Sequence, residues 1–139
     1  MAKKFHFILN SPESSIFDHE VESVSLPTSN GEIGIMADHT PLIALISPGV
    51  ISVIESGKTS LLATGGGFAE VKSNEVKAFV QSAEFADSID EQRAIEAAKQ
   101  ARQDMAAVGD EISLADASSI LERNIARLKT IERKKRHGH

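Results

Sequence analysis

The sequence of 139 residues has no cysteine, no tryptophan and no tyrosine. The missing thiols exclude disulfides, thiolate zinc sites, iron–sulfur clusters and a cysteine nucleophile, and they indicate a reducing compartment. Six phenylalanines are the only aromatic residues, too few for the base-stacking surface of a single-stranded nucleic acid binder. The longest apolar run, residues 42–46, is far shorter than the roughly 20 residues that cross a bilayer. The basic residues at the start of the sequence are not followed by a sustained apolar stretch, so no secretory signal is expected.

Charge is unevenly distributed along the chain, whose net charge is −5. Residues 1–87 carry 5 Lys, no Arg and 11 acidic residues, whereas all six arginines lie after Asp87. From Ser113 onward there are 7 basic and 3 acidic residues, including the run Arg133-Lys134-Lys135-Arg136. Such a run is either a solvated, frayed end or a surface that docks on an acidic partner.

The periodicity of the apolar residues changes near Asp87, which predicts two domains, 1–87 and 88–139. Before that point the apolar residues form short segments of period two, or brief continuous runs, between turn formers. The predicted strands are 5–9, 16–26, 33–36, 42–46, 50–55, 60–64, 68–72 and 75–80. So many short strands predict an antiparallel β-sandwich or a flattened barrel.

From residue 88 onward the period is helical, and two helices are predicted to pack as an antiparallel hairpin. Ser88 and Glu91 have the form of a capping box, and Gly109-Asp110 is predicted to end the first helix. Ser113 with Asp116 is predicted to cap the second. The expected apolar faces are Ala94, Ala97, Ala98, Ala101, Met105 and Val108 on the first helix, and Leu114, Ala117, Leu121, Leu128 and Ile131, with Ile120 and Ile125 beside them, on the second. Faces rich in alanine bury little area, so the hairpin is either a structural appendage or a movable element.

Folding the hairpin about residues 110–111 predicts that three arginines converge near its base. Arg93 comes level with Arg127, and Arg123 lies one helical turn from Arg127. Three guanidinium groups repel one another unless an anion is close. Acidic side chains (Asp90, Glu84 and Glu122) or a phosphate ligand could supply that charge, and pattern alone favours ion pairs.

Motifs of catalysis and metal binding are missing from the sequence. Gly65-Gly66-Gly67 precedes a predicted strand and lacks Gly-Lys-Ser/Thr, so it predicts a bulge or a tight sheet crossing instead of a phosphate loop. The five histidines show no metal-ligand spacing, and no metal is assigned. No nucleophile elbow or paired carboxylates occur, so no catalytic residue is assigned.

Four motifs, in order, resemble the epsilon-subunit family of bacterial F-type ATP synthases. Three lie in the predicted sheets: Gly31-Glu32-Ile33-Gly34-Ile35, His39-Thr40-Pro41-Leu42, and Gly66-Gly67-Phe68-Ala69-Glu70-Val71 followed by Asn74-Glu75-Val76. The fourth, Ile89-Asp90-Glu91-Gln92-Arg93-Ala94, resembles the family's helical motif. The sequence departs from the family at Ala37-Asp38-His39, where Pro-Gly-His is common.

The resemblance implies a ten-stranded sandwich and a C-terminal two-helix hairpin in a non-catalytic rotor-stalk subunit of a proton-translocating ATP synthase. The implied partners are the gamma subunit and the membrane rotor ring, with Glu32 and His39 as ring contacts. The implied location is peripheral, on the cytoplasmic face of the bacterial plasma membrane, with no nucleic acid bound and a monomeric isolated chain. The hairpin is expected to extend into the catalytic head and inhibit ATP hydrolysis. There it would meet the beta and alpha subunits through Arg123, Arg127, Arg133, Lys134, Lys135 and Arg136.

The resemblance further implies that the hairpin can bind a regulatory ATP, while no cofactor is required. The implied ATP-binding residues are Glu84, Ile89, Asp90, Arg93, Ala94, Arg123 and Arg127. An alternative function from another class is a free-standing binding module whose basic last helix docks on nucleic acid or on an acidic protein. The acidic first domain weighs against nucleic acid.

Overall fold

A computed structural model describes residues 3–107 and 111–137, which form ten strands and two long helices. The strands are β1 (Phe5–Asn10), β2 (Ser15–Val21), β3 (Ser23–Thr28), β4 (Gly31–Met36), β5 (Leu42–Ile46), β6 (Gly49–Glu55), β7 (Lys58–Thr64), β8 (Gly67–Val71), β9 (Glu75–Val80) and β10 (Ala83–Phe85). A 3₁₀ turn, Ala86–Ser88, leads into helices α1 (Glu91–Ala107) and α2 (Glu111–His137). The expected sandwich followed by a helical hairpin is confirmed.

Two five-stranded sheets form the sandwich. The first has the order β2-β1-β9-β8-β5 and the second the order β10-β7-β6-β3-β4. All their pairings in the described residues are antiparallel except that of β1 with β9, which is parallel. The sheets are therefore not purely antiparallel, because β1 lies between its hairpin partner β2 and the distant strand β9.

The core lies between the two sheets and is built by alternation along the strands. In β1 the residues Phe5, Phe7 and Leu9 are buried while the side chains between them are partly exposed. Leu26, Ile35, Ile51 and Leu62 supply the facing side chains of the second sheet, and the larger members of this core are completely buried. Burying each such side chain contributes about 1.5–3 kcal/mol, so this core can hold the sandwich together without disulfides.

The sequence from Ile16 to Leu26 forms two strands and not the single strand that its apolar pattern predicted. Strand β2 ends at Val21 and pairs in the first sheet, whereas β3 starts at Ser23 and pairs in the second. Glu22 lies between the two strands. Its backbone N–H donates to the Ile54 carbonyl, and its carboxylate accepts from the Gly57 N–H. A sheet change leaves the side-chain alternation almost intact, so periodicity did not reveal it.

Gly67 lies at a close approach of β8 and β9. A Cβ atom there would stand 1.9 Å from the Phe79 carbonyl oxygen, which leaves no room for any side chain. The adjacent Gly66 has φ of +98°, in the region that favours glycine. The glycine run thus marks a close approach of two neighbouring strands of one sheet, and their register shows neither a bulge nor a crossing of sheets there.

Asp90, and not Ser88, caps helix α1. The Arg93 N–H donates to the Asp90 carboxylate at 3.0 Å, while Ser88 closes the preceding 3₁₀ turn. The predicted capping box was therefore wrong by two residues, because Ser88 and Asp90 are both good caps and the short strand β10 and its turn shift the helix start. The predicted end of this helix at Gly109-Asp110, with Val108, lies outside the described residues.

Helix α2 begins at Glu111, so Ser113 lies inside the helix and the predicted cap at that residue was wrong. The helix packs on α1 and on strands β6 and β7. Its most buried side chains are small or polar, namely Ala117, Asn124, Ala126 and Thr130, whereas Leu114 and Ile120 of the predicted apolar face are exposed. On α1 the buried residues are Ala94, Ala98 and Ala101, as expected.

The hairpin covers one outer face of the sandwich. Val50, Leu61 and Ala63 of β6 and β7 are buried without belonging to the core between the sheets, and their strands are those that α2 contacts. Small side chains on α2 let the helix approach this sheet closely, but they bury little apolar area each. The docked hairpin is therefore held over the second sheet by a thin apolar contact together with polar interactions.

Candidate functional site

A cavity of about 350 Å³ lies where the base of the hairpin meets the end of the sandwich. Its walls come from β10, from the segment before α1, from the first turns of α1 and from the middle of α2. The lining residues are Glu84, Ser88, Ile89, Asp90, Arg93, Ala94, Ala97, Asn124 and Arg127. Six of the seven residues implied for ATP binding therefore lie around one cavity.

Strand pairing orients Glu84 toward α2. In the register of β10 with β7, Glu84 stands opposite Ala63, one of the residues that α2 covers. Residues directly opposite in an antiparallel pair share one face, so the Glu84 side chain leaves the sheet on the α2 side. The three-residue strand β10 was absent from the sequence-based strands, yet it is the element that sets this carboxylate in the site.

Arg127 connects the last helix to the sandwich through an ion pair. Its Nε lies 2.5 Å from Oε1 of Glu84, and about a quarter of the Arg127 side chain is exposed to solvent. Its Nη1 donates to Oδ1 of Asn124 at 2.9 Å. Of the two counter-charges considered from the sequence, an acidic side chain and a phosphate, the structure therefore shows the acidic side chain for Arg127. A phosphate would have to displace or join the Glu84 carboxylate to reach it.

Arg93 and Asp90 provide the polar groups on the α1 side of the cavity. The Asp90 carboxylate accepts the Arg93 backbone N–H as the helix cap. The Arg93 side chain is exposed and forms no ion pair within residues 3–107 and 111–137. A guanidinium next to the positive end of a helix dipole is suited to bind an anion. A phosphate group would supply the negative charge that pairs with this guanidinium.

Arg123 does not line this cavity, although it lies one turn before Arg127. Its Nε is buried and has no hydrogen-bond partner in the described part of the chain. The structure therefore brings two of the three predicted guanidinium groups to the cavity. A buried donor without a partner costs free energy. A conformation in which a ligand or a partner supplies an acceptor for Arg123 would therefore be favoured.

Asn124 is a site residue that the sequence analysis missed. Its side chain is 2% exposed, donates to the Ile120 carbonyl and accepts from Arg127. A signal was available, because Asn124 precedes Arg127 by three positions and so shares its helix face. Asn124 holds the guanidinium in the orientation that meets Glu84.

Glu32 lies on β4, the edge strand of the second sheet, and His39 lies in the loop after that strand. Glu32 is near the start of the strand, and His39 follows its end, where its Nδ1–H donates to the Thr40 carbonyl at 2.8 Å. Asp38 adopts the left-handed region with φ of +67° at the position where the resembled family often has glycine. Its carboxylate pairs with Lys3 at 2.6 Å, and its N–H donates to the Ser73 carbonyl, which holds the loop.

The basic end of α2 contacts acidic residues of this same chain. Arg133 pairs with Glu32 at 2.7 Å, Lys135 pairs with Glu91 at 2.9 Å, and Lys134 pairs with Asp87. Arg136 lines a groove between the β3–β4 turn and α2. The predicted basic run is therefore neither frayed nor fully solvated in this conformation.

The outer face of the first sheet presents apolar side chains to solvent, which the sequence analysis did not anticipate. Ile43 and Leu45 of β5 are 74% and 77% exposed. Next to them the rings of Phe68 and Phe79 stack with centroids 5.3 Å apart, and Phe68 stands opposite Leu45 in the β5–β8 register. Both described helices pack on the other side of the molecule, so this apolar patch is uncovered.

Neither a membrane span nor a metal site was found in the described residues. Their helices are too polar or too short to cross a bilayer. No group of three or more His, Asp or Glu side chains is arranged to hold a metal ion within residues 3–107 and 111–137.

Comparison with known proteins gives a consistent result along the chain. Residues 4–86 match the family model described as ATP synthase, Delta/Epsilon chain, beta-sandwich domain, and residues 87–132 match that of its long alpha-helix domain. The ATP synthase epsilon chain of Desulforamulus reducens is 36% identical over 132 residues, or 95% of this chain and 100% of that protein. The epsilon chain of Desulfitobacterium hafniense strain Y51 is 39% identical over 128 residues, or 92% and 96%.

A solved structure shares the fold. A chain in the cryo-EM structure of the Euglena gracilis mitochondrial ATP synthase matches with a TM-score of 0.73 and 22% identity, covering 98% of this chain and 82% of that one. At this level of identity the match concerns the arrangement of the sandwich and the helices.

Proposed function

The chain belongs to the ATP synthase delta/epsilon family, and on that premise we propose that it is a non-catalytic central-stalk subunit that couples the membrane ring to the catalytic head and restrains ATP hydrolysis through its hairpin. The observation that carries this proposal is the match of both family domains, in order, over residues 4–132. Two partner surfaces and one regulatory site give it a physical basis.

The uncovered apolar patch (Ile43, Leu45, Phe68 and Phe79) suits the gamma subunit. A stalk contact must persist during rotation, and exposed aliphatic and stacked aromatic side chains supply the buried area for a lasting interface. The patch lies on the first sheet, whereas the hairpin covers the second. Gamma can therefore stay bound whether or not the hairpin is docked.

The edge strand β4 suits the membrane ring. Glu32, Met36 and His39 all lie on this strand or at its end, and Met36 is 63% exposed. A carboxylate, a thioether and an imidazole spaced along this edge can contact polar loops and a small apolar surface at the same time. Through this contact the chain would be held at the cytoplasmic face of the bacterial plasma membrane as a peripheral component of a proton-translocating complex.

The hairpin suits an inhibitor that can detach. The α2 side chains most buried in the docked form, such as Ala126, bring little apolar area, so detachment exposes little surface. Arg123, Arg127, Arg133, Lys134, Lys135 and Arg136 would then be free to meet acidic segments of the catalytic beta subunit and the neighbouring alpha subunit. A helix inserted there would block the rotation that ATP hydrolysis drives.

The cavity at the base of the hairpin suits a regulatory ATP. Glu84 comes from the sandwich, Asp90 and Arg93 from the start of α1, and Arg127 from the last helix. A nucleotide that contacts all three elements therefore stabilises the docked form and not the extended one. A ligand present at a few times its dissociation constant shifts this equilibrium by about 1 kcal/mol. ATP would thus relieve inhibition when it is abundant.

Truncation of the chain after Asp87 tests the function. The remaining sandwich is expected to fold and to assemble with gamma and the ring, while ATP hydrolysis by the reconstituted complex rises. The matched control is the full chain with Glu132→Gln, an exposed change on α2. Unchanged hydrolysis would contradict inhibition by the hairpin, and failure of a folded truncated chain to bind gamma would contradict the assignment of the stalk role to the sandwich.

A further inference from the structure

Three consecutive basic residues at the end of α2 are held by acids from three different parts of the fold. Arg133 contacts Glu32 on β4, Lys134 contacts Asp87 in the 3₁₀ turn, and Lys135 contacts Glu91 at the start of α1. Each pair joins residues that are 44 or more positions apart in the sequence. Local helix electrostatics therefore does not explain them.

We propose that Glu32, Asp87 and Glu91 form an ionic latch that holds the end of α2 on this chain and withholds its three cations from an acidic partner. The latch is an internal acidic docking site whose occupant is residues 133–135. It rests on the proposed function in one respect, since the competing partner is the catalytic head. The docking of the helix end on the latch is a property of the isolated chain.

Side-chain packing alone does not fix the end of α2. Thr130 is completely buried, but from Ile131 to Arg136 every side chain is at least partly exposed. The last two turns therefore depend on their charged contacts to stay on the sandwich. Arg133 is the most shielded of the three cations, with 24% of its side chain exposed, so its pair with Glu32 is the least screened by salt.

The strength of such a latch suits a reversible switch. Exposed ion pairs are weak singly, and each would shift the ratio of docked to detached hairpin about threefold. Once one pair orders the helix end, the next two cost less conformational entropy because their side chains are already close. Three pairs together shift the ratio by tenfold or more, yet a partner surface with more acidic groups can still displace them.

Glu32 links the latch to the edge strand proposed to face the membrane ring. One of its oxygens accepts from Arg133 and the other from Ser25 at 3.3 Å. Both oxygens are engaged in the docked form, so detachment of α2 releases a carboxylate at the ring-facing edge. Through the latch, docking or detachment of the hairpin changes the charge that Glu32 presents at that edge.

The test uses the isolated full chain, whose lack of cysteine allows two labels at Glu13→Cys and Ser119→Cys, both exposed positions. The distance between the labels reports the ratio of detached to docked hairpin. In 0.1 M salt the triple variant Glu32→Gln, Asp87→Asn, Glu91→Gln is expected to raise this ratio about tenfold. Raising the salt to 1 M should produce a similar shift in the unmodified chain and little further shift in the variant. Glu96→Gln, an exposed acid on α1, is the matched control and should change nothing.

A charge exchange separates the latch from a general loss of stability. Arg133→Glu alone should raise the detached fraction, and adding Glu32→Lys should restore docking, because the pair reforms with opposite polarity. An unchanged ratio in the triple variant, an equal effect of Glu96→Gln, or no restoration by the exchange would each overturn the latch. These readouts need no ATP synthase, so the latch can fail while the truncation test still supports inhibition, and the reverse also holds.

Discussion

The guanidinium of Arg127 lies 2.5 Å from the carboxylate of Glu84, which joins the last helix to the last strand of the sandwich. These residues are 43 positions apart, and the hinge between the two parts lies between them. The pair forms one wall of the cavity at the base of the hairpin. Any ligand that contacts Glu84 and Arg127 together must therefore sense whether the hairpin is docked.

ATP binding by the isolated chain is expected to depend on the arginines of this cavity. Arg127→Ala and Arg93→Ala should each weaken binding at least tenfold, because each removes a charged donor to phosphate that is worth about 1.5–3 kcal/mol. Arg123→Ala should weaken it less, since Arg123 does not line the cavity. Titration calorimetry measures all three, with Arg102→Ala on the exposed face of α1 as the control. Absence of binding heat at millimolar ATP would reduce the cluster to internal ion pairs.

The cap of α1 gives a sharp comparison between two neighbouring residues. Asp90→Ala should lower the free energy of unfolding by about 1 kcal/mol, because the Arg93 N–H loses its acceptor. Ser88→Ala should have almost no effect. Urea denaturation followed by circular dichroism measures both. An equal loss in the two variants would contradict the cap assignment and would favour the capping box expected from sequence.

The sequence established the strands and helices more securely than their ends. The apolar pattern predicted β1, β5 and β9 nearly to the residue, because β1 and β9 alternate and β5 is a short apolar run between turn formers. The caps at Ser88 and Ser113 were wrong because several good capping residues follow one another, and tertiary contacts select among them. Leu114 and Ile120 were expected on a buried face, but the close approach of α2 to the sheet favours Ala126 and Thr130 there.

Contacts between distant residues could be predicted from the sequence only where the topology could be inferred. Folding the hairpin in half correctly predicted that Arg93 and Arg127 line one cavity, because the antiparallel arrangement of two helices determines which residues come level. The pair of Arg133 with Glu32 spans 101 positions and depends on how α2 lies over the sandwich, which no periodicity encodes. The apolar patch was missed for a similar reason, since apolar residues on both faces of β5 resemble a fully buried strand.

The apolar patch is expected to be needed for assembly and not for folding. Leu45→Asp places a charge on a side chain that is 77% exposed in the isolated chain, so thermal stability should change little. Binding to gamma should fall at least tenfold, because the charge would be desolvated in an apolar interface. Co-purification with gamma measures the effect, with Ile95→Asp on α1 as an exposed apolar control. Normal binding by Leu45→Asp would show that gamma uses another surface.

The central claim is that the hairpin inhibits only when it leaves the sandwich, and fixing it in place tests this most directly. Asn30→Cys lies in the β3–β4 turn, whose neighbouring residues Thr28 and Gly31 line the same groove as Arg136. A short cleavable bismaleimide can join it to Arg136→Cys at the end of α2, with the single-cysteine chains as controls. The reconstituted complex carrying the joined chain is expected to hydrolyse ATP as fast as the complex with the chain truncated after Asp87, and cleavage of the linker should restore inhibition. Full inhibition while the linker is intact would contradict the account.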